Sequence, residues 1–362
     1  MYINLKAKNY IDISDKIIGD DKPTYFIADI AANHNGDIQR AINLIHLAAE
    51  AGADAAKFQH FEAQSIVSDF GFKALGEQQS HQAKWSKTVF EVYRDAEVDL
   101  SWTAHLKDAC DAAGITFFTS PYSFDLVDIV DPYVPAYKIG SGDITWLEII
   151  EYIAAKNKPI MIASGASSMD EVHNAICAAR KHTNDIVLMQ CNTNYTASLE
   201  NFKYINLNVL KAYGEIYPDI ILGLSDHTPG HSTVLGAVTL GARVIEKHFT
   251  DSNDGIGPDH KFSMTPSSWR EMVMRTRELE ISLGGTEKKV EDNELDTVVL
   301  QRRSIRYCHD LKVGEIIGKD DIEVLRPCPN DGLPPSKIND IIGRTIIRDV
   351  HSGEIVQWRD LH

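Results

Sequence analysis

Eight short apolar runs, separated by stretches of helical periodicity at a steady pitch, constrain this chain more than any other feature. They are Tyr25 to Ala31, Ala55 to Phe61, Ile115 to Pro121, Ala136 to Gly142, Pro159 to Gly165, Ile186 to Asn192, Ile220 to Ser225 and Arg243 to Thr250. Between them lie amphipathic stretches: Ile38 to Ala51, Asp108 to Ala113, Trp146 to Lys156, Asp170 to Arg180, Phe202 to Tyr213 and Thr233 to Leu240. A strand that is apolar on both faces belongs in a parallel sheet covered by helices on both sides, and eight strand–helix units are the number that closes a (β/α)8 TIM barrel. An open doubly wound sheet more often has fewer units. Ser168 with Glu171 reads as a capping box, and Thr265 followed by Pro266 starts a last helix that reaches about Leu283.

A chain of 362 residues exceeds what one core of roughly 250 to 300 residues absorbs, so a second, smaller domain is expected. The composition changes after Gly284-Gly285. The expected division is a barrel over 1–285, a charged linker over 286–298 and a small β-rich domain over 299–362. Within that last part Gly314-Glu-Ile-Ile with Asp321-Ile322 recurs in looser form as Gly353-Glu-Ile-Val with Asp360-Leu361, which implies two similar halves. The net charge of −16 argues against a nucleic-acid or anionic-membrane surface. Five cysteines without C-x-x-C spacing read as reduced thiols. No apolar run of about 18 residues or signal-like stretch is present, so the expectation is a soluble cytoplasmic protein that binds small molecules.

In a barrel of this kind, functional side chains gather at the C-terminal ends of the strands. Those ends carry Asp29, Lys57, Gln59, Ser120, Lys138, Ser141, Asp143, Ser164, Asn192, Tyr195, Ser225, His227 and His248. Two imidazoles delivered at the ends of neighbouring strands, His227 and His248, can converge on a divalent metal, with Asp259 or waters filling its other positions. Asn33-His34-Asn35-Gly36 has the composition of a turn, yet at the mouth of the first strand it is placed for a pocket role. Lys57 and Lys138 each interrupt an apolar strand, where a charge is rarely tolerated unless paired or functional. With Ser120, Ser141, Ser225 and the backbone amides around Gly140-Ser-Gly142 and Ser164-Gly165 they would hold a phosphate and a carboxylate. The same lysines could instead form a Schiff base. A metal pair beside several lysines favours anion binding, with the metal polarising an aldehyde next to a phosphorylated acid.

Phe26-Ile-Ala-Asp-Ile-Ala-Ala-Asn-His-Asn-Gly36, Ala136-Tyr-Lys-Ile-Gly-Ser-Gly142, Gly223-Leu-Ser-Asp-His-Thr228, Lys247-His-Phe-Thr-Asp251 and Gly257-Pro-Asp259 resemble the motifs of the sialic acid (nonulosonic acid) synthases, which condense phosphoenolpyruvate with an N-acyl sugar. The tail from Arg302-Arg-Ser-Ile305 through Leu325-Arg-Pro327 resembles the antifreeze-like (SAF) domain of those enzymes. The resemblance implies that His227 and His248 bind Mn2+, or Mg2+ or Co2+ in its place, next to the sugar aldehyde, with Asp259 beside that site. Lys57, Ser120, Lys138, Ser141 and Ser225 match phosphoenolpyruvate-binding positions, with Ser164 and Asn192 expected to assist. Gln59 and Tyr195 match the sugar end. Arg326 matches an arginine that the SAF domain places in the partner protomer's active site, implying a domain-swapped homodimer.

Several positions depart from the family pattern. Asp29 and Asp143, the candidate acid/base or sugar-orienting carboxylates, stand where glutamates are common; Ala163 stands where a serine often is; and Asn192-Thr-Asn194 differs from the usual pair. A shifted or larger acceptor is expected, such as a diamino-dideoxy hexose derivative. A Schiff-base aldolase using Lys138 or Lys57 and a non-catalytic polysaccharide-assembly protein are the competing readings. His60, His81, His105 and His173 read as surface or packing residues, and Cys191 as a small packing residue.

Overall fold

The computed structural model describes residues 9–76, 82 and 85–362; His81 lies outside them. Two short strands, β1 (Tyr10–Ile13) and β2 (Lys16–Gly19), form an antiparallel hairpin. All eight expected strands follow: β3 (Tyr25–Asp29), β4 (Ala55–His60), β5 (Thr116–Pro121), β6 (Tyr137–Ile139), β7 (Ile160–Ala163), β8 (Ile186–Cys191), β9 (Ile221–Asp226) and β10 (Val244–His248). They close in sequence order into a parallel barrel, β10 pairing with β3. Closure removes both sheet edges, and every strand can then be apolar on two faces, one toward the lumen and one toward the helices.

The helices Ile38–Glu50, Leu147–Ala154, Met169–Ala179, Ser232–Thr239 and Pro266–Leu283 lie within two residues of their expected limits. The Ser168–Glu171 box forms in both directions. Asp37 caps the first helix through the amides of Gln39 and Arg40. The helix expected over Phe202 to Tyr213 is instead a 3-10 segment, Leu199–Tyr204, followed by a helix, Val209–Ile216. Asn206 divides them in a left-handed conformation, φ 49°, which asparagine tolerates better than most residues. Three features carried too little periodicity to be anticipated. The β4-to-β5 connection holds helices Ala63–Ile66, Asp69–Ala74 and Val89–Asp95; the helix Phe124–Val130 follows β5; and the β1–β2 hairpin precedes the barrel. The hairpin adds Ile11, Ile13 and Ile18 to the core. It is tied to the N-terminal ends of the barrel strands by Lys16–Asp54 at 2.7 Å and by Arg243 Nε donating to Asp20 O at 3.0 Å.

Contacts divide the chain into units 1–284 and 285–362. The stretch read as a linker holds the start of a helix, Leu295–Gln301. The second unit pairs β11 (Ser304–Tyr307) with β12 (Ile322–Leu325) antiparallel around a small core that includes Ile305, Tyr307, Ile346 and Val356. Its repeat is physical: Gly314 (φ 93°) and Gly353 (φ 84°) make equivalent left-handed turns, each leading to a 3-10 turn, Lys319–Asp321 and Trp358–Asp360. Among the described residues no helix is long and apolar enough to cross a membrane.

In β9, Gly223 sits so close to its neighbours that a Cβ there would lie 2.8 Å from Val244 O and 2.9 Å from Met189 Cγ. Gly223→Ala should therefore strain the strand that carries His227, lowering unfolding stability by about 1–3 kcal/mol. Urea titration followed by tryptophan fluorescence checks this; an unchanged midpoint would contradict it.

Candidate active site

Strand register assembles the site before any side chain is considered. His248 stands opposite Asp29, and Asp29 opposite Lys57, across β10, β3 and β4. Ser225 of β9 lies between Cys191 of β8 and Glu246 of β10, and Gln59 pairs with Ser120. Side chains alternate along a strand, so Glu246 and His248 face one way and Lys247 the other.

The two strand lysines are buried, 2% and 3% exposed, and each faces a carboxylate. Lys57 Nζ donates to Asp29 Oδ2 at 2.7 Å, and Gln59 Nε2 donates to the same oxygen at 3.0 Å. Lys138 Nζ lies 3.2 Å from Glu246 Oε1, which Lys57 also approaches at 3.9 Å. Burial alone would raise the Asp29 carboxyl, but the charges of Lys57 and His248 and the donors of Lys57 and Gln59 outweigh it and hold it below the usual carboxylate range. Burial would likewise push the Lys57 ammonium down, yet Asp29 and Glu246 hold it above the ordinary lysine value. A lysine kept protonated in this way is a poor amine nucleophile, which argues against the Schiff-base reading at Lys57.

His227 donates its Nδ1–H to the carbonyl of Asn192 at 3.1 Å; a carbonyl only accepts, so the tautomer is fixed and Nε2 keeps its lone pair. Burial first, then the neighbouring His248, pushes the His227 imidazole down to about 3, so it is neutral. The rings of His227 and His248 are 5.4 Å apart, with Tyr195 set edge-on to His227 at 4.4 Å. His248 Nδ1 is buried with no hydrogen-bond partner among the described residues, 3.8 Å from Asp259 Oδ2. A free imidazole lone pair beside an orphaned ring nitrogen and a carboxylate is donor chemistry that suits a divalent cation. Among the described residues no group of three or more His, Cys, Asp or Glu side chains is arranged to hold a metal on its own.

Above this layer opens a cavity of about 410 Å³ whose wall includes Gln59, Ser141, Asp143, Tyr195, His248 and Asp259. Part of the lining is apolar: Phe61, Ile66, Tyr93 and Tyr122 pack together with Ala32 and Ala96. Among the described residues, Asp143 is the carboxylate on this wall with no basic partner; burial pushes it up to about 6. Ser120 Oγ is buried and has no hydrogen-bond partner among the described residues. Ser141 Oγ pairs with Thr193 Oγ1 at 2.7 Å, and Ser225 Oγ donates to Glu246 at 3.2 Å. Ser164 differs, because its hydroxyl is committed to Met189 O at 3.0 Å. Asn192 contributes the carbonyl that holds His227. Arg326 lies in the second unit, exposed, its Nε donating to Gln301 O at 2.7 Å.

The expected pocket role of Asn33-His34-Asn35-Gly36 is not what forms. Asn33 bonds Phe249 O and Ser263 Oγ, Asn35 meets His260, and Ala32 beside them reaches the cavity instead. Sequence reasoning passed over Glu246, Thr193 and Tyr122. The signal for Glu246 was present: an acid inside an apolar strand, two residues before His248 and so on the same face.

A closed parallel barrel with buried, ion-paired lysines and an imidazole pair at its C-terminal mouth defines a barrel enzyme. The chain belongs to the NeuB family: the NeuB family model matches residues 44–288, and the SAF domain model matches residues 302–362. It is 34% identical to the N,N'-diacetyllegionaminic acid synthase of Legionella pneumophila over 95% of this chain and 96% of that protein. It is 30% identical to the human N-acetylneuraminate-9-phosphate synthase over 94% and 93%. The N-acetylneuraminic acid (sialic acid) synthetase of Leptospira borgpetersenii, solved in complex with citrate, superposes with a TM-score of 0.70 at 25% identity, covering 80% of this chain and 95% of that one.

Asp143 carries a pH dependence with a definite sign. Its folded carboxyl titrates near 6 against about 3.9 unfolded, so the folded state binds the extra proton between those values and loses stability as pH rises from about 4 to 6. Asp143→Asn should gain stability relative to wild type across that window and keep the gain above it. Unfolding midpoints at pH 4, 5, 6 and 7 read this directly; parallel curves for the two proteins would contradict it.

Proposed function

We propose that this chain is a nonulosonic acid synthase that condenses phosphoenolpyruvate with the open-chain aldehyde of an N-acyl hexosamine and releases phosphate by C–O cleavage. The observation that carries the reading is the gathering, at the strand ends, of two buried lysines, a serine hydroxyl with no partner among the described residues, and an imidazole pair whose His248 lines a cavity together with Gln59 and Ser141. Lys57, Lys138, Ser120, Ser141 and Ser225 bind the phosphate and carboxylate. His227 and His248 would hold a divalent cation, Mn2+ before Mg2+ or Co2+, with oxygens of substrate, water or Asp259; bound there, the cation supplies Lewis-acid polarisation of the aldehyde.

In the reaction, a new bond joins the methylene carbon of phosphoenolpyruvate to the aldehyde carbon, and the aldehyde oxygen takes a proton. Water adds its oxygen to the former enol carbon and gives up a proton. The C–O bond to the phosphate then breaks, leaving a 2-keto acid and inorganic phosphate. Asp143, raised to about 6, is suited to accept and return a proton near neutrality. Asp29 is locked to Lys57 and Gln59 as a carboxylate and suits orientation better than proton transfer.

The acceptor we favour is a 2,4-diacetamido-2,4,6-trideoxyhexose. Asp29 and Asp143 are one methylene shorter than the glutamates common at these positions, and the wall of Phe61, Tyr93 and Tyr122 offers apolar surface to a deoxy carbon and an extra acyl group. The likeness to a protein named as a diacetyllegionaminic acid synthase supports the same choice. We also propose a homodimer in which Arg326 of one protomer reaches the sugar N-acyl group in its partner.

Phosphate release from phosphoenolpyruvate tests the reading, measured with and without Mn2+ across N-acetylmannosamine, mannose and diacetamido-trideoxyhexoses. Release should require both metal and one sugar, with a diacetamido sugar the best. His227→Ala or His248→Ala should lower kcat by about a hundredfold or more. Arg326→Ala should raise the sugar KM roughly tenfold while changing the phosphoenolpyruvate KM little. Metal-independent turnover of pyruvate, trapped by borohydride, would replace this reading with an aldolase.

A further inference from the structure

The anion subsite is not an open cup of positive charge. Among the described residues the ion-pair partner of Lys138 is Glu246. Glu246 Oε1 lies 3.2 Å from Lys138 Nζ and 3.9 Å from Lys57 Nζ, and accepts from Ser225 Oγ at 3.2 Å. One carboxylate oxygen thus gathers three of the groups assigned above to phosphoenolpyruvate. The other oxygen, Oε2, is buried without a hydrogen-bond partner among the described residues. A second buried carboxylate on the neighbouring strand shows the contrast. Asp226 Oδ2 accepts from Lys247, from Thr228 Oγ1 at 2.8 Å and from Thr233 Oγ1 at 2.8 Å, and is fully satisfied. Asp226 has the arrangement of a structural pair, whereas Glu246 leaves an acceptor unused at the place where an anion is to bind.

We propose that Glu246 is a positioning residue that stands in for the substrate anion: it holds Lys57, Lys138 and Ser225 in place until phosphoenolpyruvate arrives, and the incoming phosphate or carboxylate takes over its contact with Lys138. The inference rests on the reading of this pocket as the phosphoenolpyruvate site. Its physical basis is charge balance. Two lysines faced by Asp29 and Glu246 leave the floor close to neutral, so an anion gains Lys138 only by exchange with Glu246. Affinity is thereby tempered, and inorganic phosphate, the product, is released more readily.

Removing the charge of Glu246 should convert exchange into simple attraction. In Glu246→Gln the Lys138 ammonium lacks a counter-ion, which a bound anion then supplies. With the full chain and Mn2+ present throughout, calorimetry should show inorganic phosphate binding about tenfold or more tightly to Glu246→Gln than to wild type. The variant's kcat and its KM for phosphoenolpyruvate should both fall. Its unfolding temperature should drop in chloride buffer and recover in phosphate at equal ionic strength. Asp226→Asn should drop without recovering. Phosphate affinity in Glu246→Gln equal to or weaker than wild type would overturn the proposal. If the variant does not accumulate folded, refolding yield in phosphate against chloride carries the same test: a higher yield in phosphate supports it, and equal yields overturn it. Tight phosphate binding by Glu246→Gln, with no phosphoenolpyruvate turnover by wild type, would refute the proposed function and keep this inference. Wild-type turnover with unchanged phosphate affinity in the variant would do the reverse.

Discussion

Two lysine ammoniums buried inside a parallel barrel are the interaction on which the site depends. Leaving one of them unpaired would cost about 3–5 kcal/mol, so the fold has to deliver a carboxylate to each. Asp29 reaches Lys57 from the adjacent strand, and Glu246 reaches Lys138 across the lumen. This requirement explains why β10 reads Val-Ile-Glu-Lys-His instead of continuing apolar. Glu246 and His248 face the lumen, while Lys247, on the other face, is neutralised by Asp226 and donates to the Thr228 carbonyl. The ends of β9 and β10 therefore carry two separate ion-pair systems back to back, one facing the lumen and one facing away from it.

Around that charge layer the remaining groups are held by short-range geometry. The Asn192 carbonyl fixes the His227 tautomer, and Tyr195 and Phe262 pack edge-on against the imidazoles. Gly165 matters because a Cβ there would overlap the Thr193 hydroxyl, which is what allows Thr193 to reach Ser141. Small residues at such points let neighbouring strand ends approach closely, and the polar groups then lose little freedom when a ligand binds.

Much of this was legible in the sequence because period and position are strong signals. All eight strands were found, since a parallel barrel strand is apolar on both faces and cannot be mistaken for a half-exposed one. The lysines and histidines stood out as charges inside apolar runs or at their ends. What escaped is equally physical. The β1–β2 hairpin is four residues a strand, too short to show alternation against background. The break at Asn206 is a local left-handed residue inside an otherwise helical pattern. Glu246 is legible as an acid inside an apolar strand, but its partners are not, because Lys138 and Ser225 reach it only when β6 and β9 fold around it. Asn33 and His34 looked like pocket residues from their place in the chain, but their hydrogen bonds turn them toward Phe249, Ser263 and Gly36 instead.

The proposed reaction uses the lysine-lined anion site for carbon–carbon bond formation with departure of phosphate by C–O cleavage. Following the bridging oxygen tests it most directly. Phosphoenolpyruvate labelled with 18O between carbon and phosphorus is turned over with the acceptor sugar in unlabelled water, and phosphate and keto acid are weighed by mass spectrometry. The label should leave entirely in the inorganic phosphate, with the keto oxygen drawn from water. Label retained in the keto acid would mean that the phosphorus–oxygen bond breaks instead, and would contradict the mechanism assigned to these residues.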